Sequence, residues 1–229
     1  MTRRRVSNPL ALAVLGLLLE RPMHPYEMSQ TLRSRGKEMS IRLNYGSLYS
    51  VVESLQKHGL VAAKETTREG RRPERTVYEI TAAGADEFED WLAELLSTPV
   101  RDYTSLEAGL SLMPGLPPDE VARLLQARAE RLRVELRTLD VMHAEAVGTG
   151  LPALFLVENL YRRTMLAAEL EFVTTLARDI RSSAFEGTKS WRRLHELRAE
   201  GMSYEEILAD PVRHLGEEAA ALQEPRPSP

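Results

Sequence analysis

The stretch Tyr45-Gly46-Ser47-Leu48-Tyr49-Ser50-Val51-Val52-Glu53-Ser54-Leu55-Gln56-Lys57-His58, closed by Gly59, decides how this chain is read. Leu48, Val51, Val52 and Leu55 follow the i, i+3, i+4, i+7 spacing of a helix with one buried side. Gly59 supplies its C-terminal stop. At about 100° per residue, with Leu48 inward, Gly46, Ser50, Glu53 and Lys57 fall outward, and Ser47 and Tyr49 fall on the two borders. An outward side that begins with small, hydrogen-bonding residues can approach base edges and phosphates closely.

Upstream, Asn8-Pro9 opens a helix, with proline where a missing N–H costs nothing. Leu10, Leu12, Val14, Leu15, Leu17, Leu18 and Leu19 leave that helix no polar face, so it belongs at the centre of a core. Pro22 and Pro25 punctuate the chain. A second helix runs from about Pro25 to Arg35, with Tyr26, Met28 and Leu32 inward and Gly36 as its stop. Downstream, Leu60 to Thr66 and Arg75 to Thr81 read as strands. In the second, Val77, Glu79 and Thr81 share one face and Tyr78 and Ile80 the other. The turn between them, Thr67-Arg68-Glu69-Gly70-Arg71-Arg72-Pro73, is rich in arginine. Thr81 is an N-cap for a helix from about Ala82 to Leu96, with Phe88, Trp91, Leu92, Leu95 and Leu96 on a stripe. Three helices and two strands around an arginine-rich turn make the element order of a winged helix-turn-helix. Leu15, Leu18, Leu32, Leu48, Val52 and Leu55 form its expected core.

Pro99 and then Pro114, Gly115, Pro117 and Pro118 mark boundaries. A short helix near Leu106 to Met113 lies between them. Two long helical stretches follow, about Asp119 to Val147 and about Pro152 to Arg181, separated by Gly148-Thr149-Gly150. A shorter helix spans about Tyr204 to Leu208, and Pro225, Pro227 and Pro229 mark a frayed tail. The fold class is mainly α: a winged helix-turn-helix over residues 1–97, a helical dimerisation or effector domain over 98–186, and an extension of unassigned role over 187–229.

Composition narrows the function. The 229 residues include no cysteine, which excludes disulfides, thiolate metal sites and cysteine nucleophiles. Arg3, Arg4 and Arg5 before the apolar run Leu10 to Leu19 resemble a secretory signal, but Glu20, Arg21, Pro22, Met23 and His24 stand where small cleavage-site residues belong. The expected location is the cytoplasm. Residues 1–80 carry 14 Lys+Arg and 8 Asp+Glu, net +6, and residues 81–229 carry 16 and 26, net −10. A basic front and an acidic back suit a front that meets a polyanion.

The first 95 or so residues resemble the PadR family of bacterial transcriptional regulators. The resemblance rests on Leu15-Gly16-Leu17-Leu18, Pro25-Tyr26-Glu27-Met28, Gly46-Ser47-Leu48-Tyr49 with Leu55 and Gly59-Leu60, Arg71-Arg72-Pro73, and Tyr78-Glu79-Ile80-Thr81-Ala82-Ala83-Gly84, in that order. The length is similar to that of the longer subgroup, whose helical C-terminal domain is related to virulence-activator proteins. The segment after Arg181 departs from that pattern, and Trp191 to Leu197 has no role in it. The resemblance implies a homodimer on a palindromic operator and repression relieved by a small molecule.

The expected DNA contacts are Tyr45, Ser47, Tyr49 and Ser50 on the third helix, Gln30 and Arg33 on the second, and Arg68, Arg71, Arg72 and Arg75 around the wing. Trp91, Tyr103, Phe155 and Tyr161 are candidates for an effector pocket, since ligand pockets favour aromatic walls. No cofactor, metal or catalytic residue is expected. His24, His58, His143, His195 and His214 have no metal-site spacing. Gly187-Thr188-Lys189-Ser190 matches the end of a phosphate loop, but Ser182 stands where its upstream glycine is required. The rival reading is a winged-helix adaptor in signalling that binds protein and not DNA. Glu53, Glu65, Glu69 and Glu74 dilute the positive field, which bears on affinity and not on class.

Overall fold

The computed structural model describes residues 8–41, 45–67 and 75–222. The chain divides between Arg101 and Asp102 into two units. The first holds α1 (Pro9–Glu20), α2 (Pro25–Ser34), a single 3-10 turn (Lys37–Met39), α3 (Tyr45–Lys57), β1 (Val61–Thr67), β2 (Arg75–Ile80) and α4 (Ala82–Ser97). The winged helix-turn-helix order read from the sequence is the order observed.

Helix α1 starts where the Asn8 side chain accepts the Leu10 N–H at 2.9 Å. Leu10, Ala11, Val14, Leu15, Leu17 and Leu18 are all buried. Lacking a polar face, α1 is surrounded, packing against α2, α3, α4 and β2. The six expected core leucines and valine are buried, joined by Met23, Met28, Val61 and Trp91. Three inward assignments are corrected. Tyr26 is exposed, and its hydroxyl accepts from Gln30 Nε2 at 2.6 Å, so its polar tip takes it out of the core. Leu19 is exposed at the end of α1. Of the α4 stripe only Trp91 is buried, and Phe88 packs against the same core; Leu92, Leu95 and Leu96 are exposed.

β1 and β2 pair antiparallel, Val61 against Ile80 and Ala63 against Tyr78, with a register slip between Ala63 and Glu65. Met23, between the two prolines, adds a one-residue third strand. Its N–H donates to Tyr78 O and its carbonyl accepts from Tyr78 N, both at 3.0 Å. The α1–α2 connection is thereby stitched to the sheet. Thr81 ties the base of the sheet to α3. Its Oγ1 accepts the Gly84 N–H at 3.1 Å, capping α4, and donates to Gly59 O at 2.7 Å, where α3 stops on a left-handed glycine (φ +73°).

The second unit holds α5 (Ser105–Leu112), a 3-10 turn (Met113–Gly115), α6 (Pro118–Gly148), another 3-10 turn (Ala153–Leu156) and α7 (Val157–Arg181). It continues with α8 (Thr188–Ala199), α9 (Tyr204–Ala209), α10 (Pro211–Leu215) and a last 3-10 segment (Glu217–Leu222). Helix α7 begins later than Pro152, because residues 153–156 take the tighter turn. α6 and α7 are antiparallel partners. Val121, Ala122, Leu125, Ala129 and Leu132 meet Val173, Leu176, Ala177 and Ile180 in their shared core. Arg128–Glu169, Arg162–Glu135 and Arg163–Asp140, each at 2.6 Å, fix the register along the pair.

The last helices have a small core of their own, built on Leu197, Ile207, Leu215 and Ala219. Polar contacts fasten it to the start of α6. Trp191 Nε1 donates to Leu116 O at 2.9 Å and Pro114 O at 3.2 Å, His195 Nε2 donates to Pro114 O at 2.9 Å, and Arg192 pairs with Asp119 at 2.8 Å.

Gly84 tests this account of the first unit. A Cβ there would sit 2.0 Å from the backbone oxygen of Leu60 and 2.9 Å from Ile80 Cγ1. In an unencumbered helix Gly→Ala stabilises by up to about 1 kcal/mol. Here Gly84→Ala should destabilise by about 3 kcal/mol or more, because backbone must move. Urea unfolding checks it, and a midpoint equal to or above that of the wild type would contradict this packing. Gly16→Ala should cost less, since its Cβ meets the movable ring edge of Phe88 at 3.1 Å.

Candidate nucleic-acid interface

Helix α3 shows the two sides its spacing predicts. Leu48, Val52 and Leu55 face the core, whereas Gly46, Ser50, Glu53 and Lys57 are exposed, Ser47 is half-buried and Tyr49 is 42% exposed. Ser50 Oγ donates to Gly46 O at 3.1 Å, so its proton is used within the helix and its lone pairs remain for an incoming donor. Tyr45 is the first residue of α3.

Tyr49 is held from below. The ring of His24 meets it edge-on, with centroids 6.4 Å apart and planes at 74°. His24 is itself fixed as the N-cap of α2, where Nδ1 accepts the Tyr26 N–H at 3.1 Å. This places the remaining proton of the neutral ring on Nε2. The sequence reading assigned His24 no such part. The pattern that could have revealed it is a hydrogen-bonding residue directly before a proline that opens a helix. On the sheet side, the Tyr78 hydroxyl is held above the usual tyrosine range, by burial first and then by the charges of Glu53 and Tyr49. Glu53 lies one turn on from Tyr49 and is exposed, so a carboxylate stands among the exposed groups of α3.

On α2, Gln30 and Arg33 line a shallow depression with Glu27, Thr31 and Ser34. Gln30 bonds Tyr26, and Arg33 lies 4.0 Å from the Glu38 carboxylate. Other cations nearby are committed to partners. Arg35 forks onto both oxygens of Glu20, and Arg21 pairs with Glu27. The hydrogen bond from Arg35 holds the Glu20 carboxyl below its usual range. Arg68, Arg71 and Arg72 lie outside the described residues. Arg75 opens β2, its backbone paired with Thr67.

The four aromatic effector candidates are not gathered into one wall. Trp91 is buried in the core of the first unit, and Tyr103, Phe155 and Tyr161 are exposed in the second. The cavity between α5 and α6 is lined by none of them. Among the described residues no group of His, Asp and Glu could hold a metal ion, and no helix is long and apolar enough to cross a membrane.

Residues 14–90 match the Transcriptional regulator PadR-like family. Among solved structures, the chain is similar to Bacillus subtilis PadR in complex with operator DNA, at 19% identity and a TM-score of 0.56, over 74% of this chain and 99% of that one. It is similar to Bacillus subtilis PadR in complex with p-coumaric acid at 17% identity and a TM-score of 0.56, over 74% and 98% of the two chains. At these identities the likeness establishes the fold. No curated protein matches the chain. The match over residues 14–90 falls on the helix-helix-helix-strand-strand part of the first unit, so that part of the chain is similar to the PadR-like family of transcriptional regulators.

Proposed function

We propose that the protein is a homodimeric, sequence-specific DNA-binding repressor, with residues 1–97 as the DNA-binding domain and the helices of residues 98–186 as the dimerisation domain. The observation that carries the reading is the exposed side of α3. Gly46, Ser50 and Lys57, flanked by Tyr49, present backbone, hydroxyl, ammonium and phenol on a helix whose opposite side is locked into the core. A rigid helix with small residues in its first turns can enter a major groove, and the flanking groups then contact phosphates. The contact set is Tyr45, Ser47, Tyr49 and Ser50, with Gln30 and Arg33 from α2 and Arg68, Arg71, Arg72 and Arg75 from the wing. The net charge of +6 on residues 1–80 favours it, and the operator-bound fold relative supports it.

Dimerisation is supported by a feature of α7. Tyr161, Met165, Ala168 and Phe172, at the 4-3-4 spacing of a coiled-coil seam, are all exposed. This stripe lies beside the one that packs on α6, so the helix has a second apolar side. A second copy would cover it, pairing two recognition helices on a palindromic operator in the cytoplasm. Kinship with the longer, virulence-activator-like subgroup belongs to the same reading, supported by α5, α6 and α7. So does relief of repression by a small hydrophobic or aromatic effector, which must bind the released geometry better than the DNA-bound one.

Two measurements test this. If each monomer neutralises about four phosphates, log K for operator against log salt has a slope near −7 for the dimer. Replacing Arg71 and Arg72 by alanine should flatten that slope and weaken binding to all sequences alike. A slope near zero would instead fit a protein-binding adaptor. Separately, Met165→Glu or Phe172→Glu should weaken dimerisation by at least about 2 kcal/mol in sedimentation equilibrium. An unchanged dimer would remove α7 from the interface.

A further inference from the structure

Tyr49 is 42% exposed at the border of α3, yet its ring is not left to itself. The His24 ring stands T-shaped against it, with centroids 6.4 Å apart and planes at 74°. His24 comes from a different element, the connection between α1 and α2, and it is half-buried there.

The backbone holds His24 from both sides. Before it, Met23 is buried and bridged to Tyr78 of β2 by two hydrogen bonds of 3.0 Å. After it, Pro25 is buried at the first position of α2. His24 itself has the extended backbone (φ −79°, ψ 147°) that a following proline favours. The ring is fixed in turn, because Nδ1 accepts the Tyr26 N–H at 3.1 Å. A ring anchored to the sheet and to α2 therefore meets a half-exposed ring on α3.

Capping alone does not account for a histidine at this position. Asn, Asp, Ser and Thr are the side chains that cap a helix N-terminus best, and all are shorter. What they lack is a ring that reaches Tyr49.

We infer that His24 is a positioning residue for Tyr49, holding the phenol in the orientation from which it donates to a DNA phosphate. The inference rests on the proposed DNA-binding role of α3 and deepens it. A side chain that must be ordered on binding loses about two- to tenfold in affinity through lost rotamer freedom. Tyr49, already braced, loses less. Phosphate contacts carry no sequence information, so the brace strengthens binding to all duplexes alike.

Two substitutions at His24 separate the ring from the cap, and both are made in the full chain. His24→Asn keeps a side-chain acceptor for the Tyr26 N–H and removes the ring; His24→Phe keeps a ring and removes the acceptor. The urea midpoint should hold with asparagine and fall with phenylalanine. Affinity for a mixed-sequence duplex at low salt should run the other way. It should weaken about two- to tenfold with asparagine and stay within about twofold of the wild type with phenylalanine. In a Tyr49→Ala background, His24→Asn should make no further difference to affinity. In the DNA-free protein, His24→Asn should move the ring-proton resonances of Tyr49, identified by their loss in Tyr49→Phe.

The positioning role is overturned, with DNA binding by α3 left standing, by any of three results: affinities that follow the urea midpoints, an asparagine variant that binds like the wild type, or an asparagine effect that persists in full in the Tyr49→Ala background. Unmoved Tyr49 resonances overturn it without reference to DNA. A wild-type chain that binds no duplex at low salt overturns the proposed function and this inference with it.

Discussion

Helix α1 has no polar side, and the rest of the first unit follows from that. A helix apolar all round must be covered all round, so α2, α3, α4 and β2 each give it their own apolar side. For α3 this decides which residues face outward. Leu48, Val52 and Leu55 are drawn onto α1, so Gly46, Ser50 and Lys57 are left pointing away from it. The outward side of α3, proposed above to read DNA, is thus a by-product of core burial, held by the same contacts that stabilise the fold. Met23 and Thr81 complete the arrangement by tying the edge of β2 to the α1–α2 connection and the base of the sheet to the stop of α3.

Strong periodicity and strong punctuation made most of this legible in the sequence. The four first-unit helices, both strands and the long helices α6 and α7 were found within a few residues, because their stripes are long and their caps use Asn8, Thr81 and Gly59 in ordinary ways. Met23 was missed because a one-residue strand has no period, and the prolines on either side read as a loop. Helix α8 was missed for a different reason. Of its twelve residues only Thr188 and Leu197 are buried, so its stability comes from docking Trp191, Arg192 and His195 onto the start of α6, which local pattern cannot report. Leu92, Leu95 and Leu96 show the converse. Their spacing is helical and apolar, yet they are exposed, since a stripe says that a helix has a hydrophobic side and not what covers it.

The site divides along the same line. The outward residues of α3 follow from angle alone, so Gly46, Ser50, Glu53 and Lys57 were readable before any coordinates. His24 beneath Tyr49 was not, since their contact joins residues 25 apart in sequence and depends on how α2 crosses α3. The aromatic effector candidates were chosen by residue type, whereas the cavity in the second unit is lined by leucines and two arginines.

The most direct test of the central claim is selection of bound sequences from random duplex DNA by the full chain, followed by footprinting on the selected sites. The account predicts enrichment of a palindrome whose half-sites are centred one or more helical turns, about 10 bp each, apart. It also predicts that Ser50→Ala and Tyr49→Ala narrow or erase the protected major-groove patches. Failure to enrich any sequence, or enrichment that both substitutions leave intact, would contradict the assignment of α3 as the helix that reads DNA.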